Sequence, residues 1–228
     1  MNKKAVVLLS GGLDSTVCMA VANSEGYETL PISFNYHQRH SRELAAAASV
    51  AQHYHVNRHL VVETNMEAIG GSALTDSSLA IPPGKIGATG VPVTYVPARN
   101  LIFLSYALGY AEVTGAERIY IGVNALDYSG YPDCRPEFIA LFQQLADYST
   151  KAATEEGWRT TIETPLLKLS KKDIVLLGDK LGAPLYLTTS CYRGGDEACG
   201  QCDSCLLRLK GFAEAGLTDP ILYRARGE

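Results

Sequence analysis

The sequence predicts an α/β fold: a Rossmann-like parallel sheet flanked by helices, with a small C-terminal appendage. Three observations predict it. Short apolar runs alternate with longer segments of helical period, the rhythm of strand–helix–strand units in a parallel sheet. The first apolar run leads straight through Ser10-Gly11-Gly12 into a helical segment. Four cysteines gather between Cys191 and Cys205, where the composition turns to cysteine and glycine.

The elements follow in order. Ala5–Leu9 reads as a buried strand, short, apolar and bounded by glycine. Leu13–Glu25 reads as a helix closed by Gly26. Leu30–Phe34 is a second strand, Arg42–Tyr54 an alanine-rich helix and His59–Val62 a third short strand. Ala98–Thr114 is a long helix with Gly115 at its end, and Arg118–Val123 a fourth strand. Pro136–Glu156 reads as one helix with proline in its first turn. Thr160–Glu163 is a fifth strand, and Lys171–Leu181 a helix followed by Gly182. Residues 1–187 form the expected main body. Residues 188–228 form a cysteine-bearing segment integral to the same domain. Ligands of such sheets sit at the carboxyl ends of the strands.

Thr64–Tyr95 breaks the rhythm, with Gly70-Gly71, Pro82-Pro83-Gly84 and Gly87 and little periodicity. A loop that long is either a functional lid or a plain insertion, and both readings stay open.

Composition narrows the class. The chain has 228 residues, 46% hydrophobic and 19% charged, as an ordinary globular domain does. Disorder as the main state is excluded. A net charge of −4 argues against a whole-protein electrostatic nucleic-acid binder. The apolar run after Lys3-Lys4, Ala5 to Leu9, is too short for a secretion signal. No membrane span is present, so the cytoplasm is the expected compartment. There, six cysteines are expected as thiolates or metal ligands rather than disulfides.

Ser10-Gly11-Gly12-Leu13-Asp14-Ser15 follows a strand and opens a helix. Glycines let backbone approach phosphate oxygens. The helix N-terminus offers unpaired N–H groups and partial positive charge to an anion. No Gly-Lys-Ser/Thr follows, so this is no Walker loop, and it is no dinucleotide fingerprint either. The string resembles the pyrophosphatase loop of the adenine-nucleotide alpha hydrolases, the PP-loop superfamily. That resemblance implies ATP cleaved between its α- and β-phosphates, with the loop on the β- and γ-phosphates. Asp14 is then the expected Mg²⁺ contact, since Mg²⁺ favours a carboxylate together with phosphate oxygens. The bland alternative is a first-turn carboxylate facing the helix dipole.

Cys191, Cys199, Cys202 and Cys205 are spaced C-x₇-C-x₂-C-x₂-C. Four thiolates with two tight spacings can close a tetrahedron around one structural Zn²⁺. An iron–sulfur cluster takes the same ligands, and a pair of disulfides is the third reading.

Other residues cluster where strands end. In Tyr36-His37-Gln38-Arg39-His40, Arg39 or His40 is placed to contact phosphate or a substrate carboxylate. Arg99, in Pro97-Ala98-Arg99-Asn100, opposes the dipole of the helix it opens, a local violation that often marks a site, here for balancing ATP phosphates. Asn124 to Arg135 reads NALDYSGYPDCR. Tyr128 and Tyr131 can stack on a planar base. Asp127 or Asp133 can accept two hydrogen bonds from a guanine-like edge, and Arg135 can clamp a carboxylate. Lys171 either reaches the pyrophosphate or is exposed. Each of these also has a plainer reading, as a solvated loop or a packed turn.

Taken together, SGGLDS, QRH, PARN, DYSGYPDCR and SCYRGGDEACGQCDSC resemble the 7-cyano-7-deazaguanine synthase family nearly end to end. The resemblance implies a ligase of queuosine tRNA-base biosynthesis, using ATP, Mg²⁺ and bound Zn²⁺, as a homodimer. It implies ATP binding by Leu8, Leu9, Ser10, Gly11, Gly12, Leu13, Asp14, Ser15, Thr16, Val17 and Cys18, and Zn²⁺ on the four cysteines. Catalysis is expected from Asp14, Arg99 and Lys171. Substrate binding is expected from Arg39, His40, Asn124, Asp127, Tyr128, Tyr131, Asp133 and Arg135. The implied reaction takes 7-carboxy-7-deazaguanine and ammonia to the nitrile. A carboxylate oxygen must first become a leaving group, so an acyl-adenylate, an amide and a second activation are expected, with two ATP per nitrile. Two rivals remain. One is a tRNA-modifying relative, disfavoured by the charge and the lack of an RNA-binding domain. The other is a nucleotide sensor without chemistry.

Overall fold

The computed structural model describes residues 3–39, 42–87, 90–125 and 130–225. Five parallel strands form one sheet: β1 (Lys4–Leu8), β2 (Glu28–Asn35), β3 (Leu60–Glu63), β4 (Arg118–Tyr120) and β5 (Thr161–Glu163). Their spatial order is β3-β2-β1-β4-β5. The chain leaves β1 in one direction for β2 and β3, then returns to the other side for β4. The switch point therefore lies between β1 and β4, where such sheets open a crevice.

Seven helices are described: α1 (Leu13–Ser24), α2 (Arg42–His53), α3 (Arg99–Thr114), α4 (Pro136–Ser149), α5 (Lys151–Thr154), α6 (Lys171–Lys180) and α7 (Asp203–Ala215). Alternation along β1 divides the core. Val6 and Leu8 join Phe103, Leu104, Ile139 and Phe142 of α3 and α4 on one face. Ala5, Val7 and Leu9 join Val17, Val50, Ile174 and Phe212 on the other, where α1, α2, α6 and α7 lie. Both faces of β1 are covered, which is why the run from Ala5 to Leu9 is continuously apolar.

The expected fold class holds, with two corrections and one open reading narrowed. The helix expected over Pro136–Glu156 is two. Thr150 leaves helical geometry at φ −115°, ψ 148°, and its side chain accepts from the Ala153 N–H, starting α5 afresh. The segment after Thr188 contains α7, a helix not expected from the sequence. The Thr64–Tyr95 stretch is not a plain insertion: Met66, Ala73, Leu74 and Thr94 are buried within it. Strand and helix ends otherwise shift by one to three residues, as with β1 at Lys4–Leu8 and β4 ending at Tyr120. No described helix is long and apolar enough to cross a membrane.

Candidate active site

β1 delivers the chain to the crevice, and Ser10-Gly11-Gly12 turns it into α1. Gly11 sits at φ +83°. A Cβ there would collide with the Glu43 carbonyl oxygen and lie 2.6 Å from the Ala47 nitrogen, so α2 lies flush against the loop. The serines brace the turn. Ser10 Oγ donates to Ser15 Oγ at 3.1 Å, and Ser15 Oγ in turn donates to the Gly12 carbonyl at 3.0 Å. No side chain caps α1 at Gly12, which leaves its first turn facing the crevice as an anion cradle. Gly122, just past β4, must be small: a Cβ would stand 3.1 Å from Ser15 N. On the far side the Thr189 N–H donates to the Gly11 carbonyl at 2.9 Å.

Ser170 and Asp173 form a capping box that starts α6. It sets Lys171 in the first turn, where Nζ donates to both carboxylate oxygens of Asp14, at 2.8 and 2.9 Å. The lysine side chain is 8% exposed and the aspartate 19%. α7 crosses directly over this lysine, and a Cβ on Gly211 would be 2.5 Å from Lys171 Cγ. Of the two sequence readings for Lys171, the structure places it inside, on the loop.

The opposite wall comes from α3 and the segment before α4. Ala98 enters α3 in the left-handed region, φ 55°, with its N–H on Tyr95 Oη at 3.1 Å. Arg99 and Asn100 line the cavity. Arg99 Nη1 donates to Tyr36 Oη at 3.5 Å. Burial pushes the Tyr36 phenol up to about 12, with Arg99 pulling the other way. Asp133 caps α3 from outside: its Oδ2 accepts from the Asn100 N–H at 2.9 Å, while its carbonyl accepts from Asn100 Nδ2 at 3.1 Å. Its other oxygen, Oδ1, is buried without a hydrogen-bond partner.

The cavity, about 240 Å³, runs from the phosphate loop to Tyr131 and Cys134. Its apolar end is built from Ile32, Phe34, Leu74 and Phe103. The expected site residues divide. Leu8, Leu9, Ser10, Gly12, Leu13, Asp14, Ser15, Arg39, Arg99, Asn124, Tyr131 and Lys171 all border it. Thr16, Val17 and Cys18 are buried in α1 behind it. Arg39 holds the long loop, donating to the Asp76 carbonyl at 3.0 Å and the Leu79 carbonyl at 2.5 Å. Asn124 Nδ2 ties the segment after β4 to the Leu166 and Leu169 carbonyls, at 3.0 and 2.6 Å. The Tyr131 ring lies against Tyr95, and its hydroxyl meets Thr94 Oγ1 at 3.0 Å. Arg135 is exposed and away from the cavity, and Asp133 faces α3. His40, Asp127 and Tyr128 lie outside the described residues.

Two further charged cavity residues escaped the sequence. Glu43 borders the cavity from the first turn of α2. Arg208 borders it from α7 while only 2% exposed. Arg208 holds Asp219 with two bonds, 2.8 and 2.9 Å, and donates to Thr188 Oγ1 at 2.6 Å. Its signal was its spacing: Cys205, Arg208 and Phe212 fall on one helical stripe, and all three are buried.

The four expected cysteine sulfurs lie within 4.8 Å of one another, all buried. Cys199 Sγ and Cys205 Sγ are 3.9 Å apart, close to the roughly 3.8 Å edge of a tetrahedron with 2.3 Å metal–sulfur bonds. Backbone N–H groups already point at sulfur: Cys199 N–H at Cys191 Sγ, 3.3 Å, and Cys202 N–H at Cys199 Sγ, 3.4 Å. All six cysteines are free, so the donor set fits one metal ion rather than disulfides. The long loop is pinned to this knuckle. Gly84 N–H donates to the Gln201 carbonyl at 2.8 Å and Lys85 N–H to Asp203 Oδ1 at 2.6 Å.

The parallel sheet, the loop at its switch point and the packed cysteine knuckle define an α/β protein of the PP-loop fold class. NMN synthetase from Francisella tularensis shares the fold, with a TM-score of 0.51 and 18% identity, covering 95% of this chain and 74% of that one. The chain belongs to the family described as queuosine biosynthesis protein QueC, which matches residues 4–216. It is 60% identical over 226 residues to 7-cyano-7-deazaguanine synthase 2 of Desulfitobacterium hafniense strain Y51, covering 99% of this chain and 95% of that one. It is 56% identical over 230 residues to 7-cyano-7-deazaguanine synthase of Geotalea daltonii, covering all of both chains.

Proposed function

We propose that this chain is an ATP-dependent ligase that converts 7-carboxy-7-deazaguanine and ammonia to 7-cyano-7-deazaguanine. The observation that carries this reading is one cavity joining the phosphate loop to the Arg99–Tyr131 wall, in a chain so close to synthases of that name. The phosphate loop and the first turn of α1 hold the ATP phosphates. Lys171 and Arg99 balance their charge. Substrate carboxylate attacks the α-phosphorus, pyrophosphate leaves, and ammonia displaces AMP to give the amide. The amide oxygen is activated the same way, and loss of AMP leaves the nitrile. Asp14 would hold Mg²⁺, which supplies charge neutralisation at the phosphates. The four cysteines would hold a structural Zn²⁺ that shapes the knuckle bearing α7.

The chain's own contribution is positioning and exclusion of water. Apolar Phe34, Phe103 and Leu74 supply dry walls. The substrates are small molecules, without direct nucleic-acid or membrane contact, and the working form is a cytoplasmic homodimer. The test mixes purified protein with Mg-ATP, ammonium and the carboxylated base. Mass spectrometry should show nitrile, preceded by amide, and chromatography should show AMP and pyrophosphate. ADP with nitrile would overturn the loop chemistry. No base conversion would overturn the ligase.

A further inference from the structure

Amide formation needs a proton acceptor. In neutral water the nitrogen donor is ammonium, which has no lone pair to attack with. Turning NH₄⁺ into an amide nitrogen releases two protons. One must go before the attack and the other from the addition intermediate.

Among the described residues bordering the cavity, the carboxylates are Asp14 and Glu43. Asp14 faces Lys171 through both of its oxygens. The remaining candidates are poor acceptors. Burial pushes the Cys134 thiol and the Tyr36 phenol each up to about 12, so both keep their protons. Lys171, Arg99, Arg39 and Arg208 are cations. Glu43 is well set. Its backbone is fixed against the phosphate loop, because the Glu43 carbonyl and Ala47 N–H close over Gly11. It borders the same cavity as Tyr36, Arg99 and the phosphate loop. A carboxylate there can draw an ammonium ion into the cavity as well as deprotonate it.

We propose that Glu43 is the ammonium-binding group and general base of the amination step, an assignment that rests on the ligase reading above. The Glu43 carboxylate takes one proton from NH₄⁺. The freed NH₃ lone pair bonds to the acyl carbon of the adenylate. In the addition intermediate the nitrogen loses its second proton to water. The C–O bond to AMP then breaks, and AMP leaves with the electron pair, giving the neutral amide.

The test exploits hydroxylamine, which is largely uncharged at neutral pH and needs no deprotonation before it attacks. Wild-type protein and Glu43→Gln are each given Mg-ATP and the carboxylated base, with either ammonium or hydroxylamine. Amide plus nitrile, or hydroxamate, is quantified by mass spectrometry. The ratio of ammonium product to hydroxylamine product should fall by about 10²–10⁴-fold in Glu43→Gln, the usual worth of a general base. It should climb about tenfold per pH unit above neutrality in the variant, as free ammonia replaces the missing base. Glu43→Asp, which keeps a carboxylate, should recover at least part of the ratio. An unchanged ratio in Glu43→Gln, or equal losses with both nucleophiles, would overturn the proton role while leaving the ligase standing. Wild-type protein that makes neither product nor pyrophosphate would overturn the ligase and this assignment with it.

Discussion

Lys171 holds both carboxylate oxygens of Asp14, at 2.8 and 2.9 Å, across 157 positions of sequence. The pair joins the first turn of α6 to the first turn of α1 and closes one side of the cavity. Removing the lysine leaves a mostly buried carboxylate uncompensated. Because Asp14 keeps 19% exposure, Lys171→Met should cost about 2–3 kcal/mol, below the full buried-pair penalty. Pyrophosphate release should drop at least ~10²-fold, as for loss of a charge-stabilising donor. The double variant Lys171→Met/Asp14→Asn should regain melting temperature without regaining turnover. Melting curves and a pyrophosphate assay on the three proteins check both halves.

The two loop glycines should differ sharply. Gly11 combines φ +83° with contact against α2. Gly11→Ala should therefore cost roughly 3 kcal/mol from backbone strain and overpacking. At Gly12 a methyl would meet Ser10 Oγ at 3.4 Å and the Thr189 carbonyl at 3.5 Å, ordinary contacts. Gly12→Ala should fold normally, while Gly12→Val should weaken ATP binding by blocking backbone approach. Denaturant melts and ATP titration separate the two positions; equal stability of the two alanine variants would contradict the packing.

Cys202→Ser removes one of the four sulfurs, on the residue that immediately precedes α7. Stoichiometric metal should disappear from elemental analysis. The melting temperature should fall by roughly 10 °C, the scale of a few kcal/mol in a domain of this size. Because α7 leans on Lys171 through Gly211, the KM for ATP should rise as well. Retained zinc with unchanged melting would refute the four-sulfur site.

Alkaline stability has a definite sign. The Cys134 thiol, buried, is pushed up to about 12, whereas an unfolded thiol titrates near about 8.5. Between those values the unfolded chain has lost the proton and the native one keeps it. This contribution is complete below about 8.5 and disappears as pH rises to about 12, a slope of about 1.4 kcal/mol per pH unit. Tyr36 adds in the same direction. Denaturant midpoints across this range should fall less steeply in Cys134→Ser than in the parent. Parallel slopes would contradict the burial.

Much of this was legible in the sequence because it is local. Apolar runs and glycine stops give the strands and most helices. SGGLDS announces the turn from β1 into α1, and the cysteine spacing announces the four-sulfur cluster. What was not legible depends on contacts made far along the chain. α7 begins inside the cysteine motif, so composition hid its helical stripe, and Arg208 reads as surface until Asp219 is seen beside it. Asp133 looks like a substrate carboxylate in DYSGYPDCR, yet it spends one oxygen on the N-terminus of α3. Thr64–Tyr95 has no period of its own because its order comes from Gln201 and Asp203. The break at Thr150 is a capping choice that a run of helix formers conceals.

The placement of α7 also bears on the order in which the protein is made. Thr189 touches Gly11, Gly211 touches Lys171, and Gly84 touches the Cys202–Asp203 turn. A nascent chain emerges N-terminal end first and can assemble its sheet early. The pocket nevertheless waits for α7, and a chain lacking that helix would carry the phosphate loop without the wall that Ser204 and Arg208 supply. The strand that opens the pocket and the helix that completes it thus lie at opposite ends of the folding sequence, and a partly formed body holds an open crevice until α7 docks.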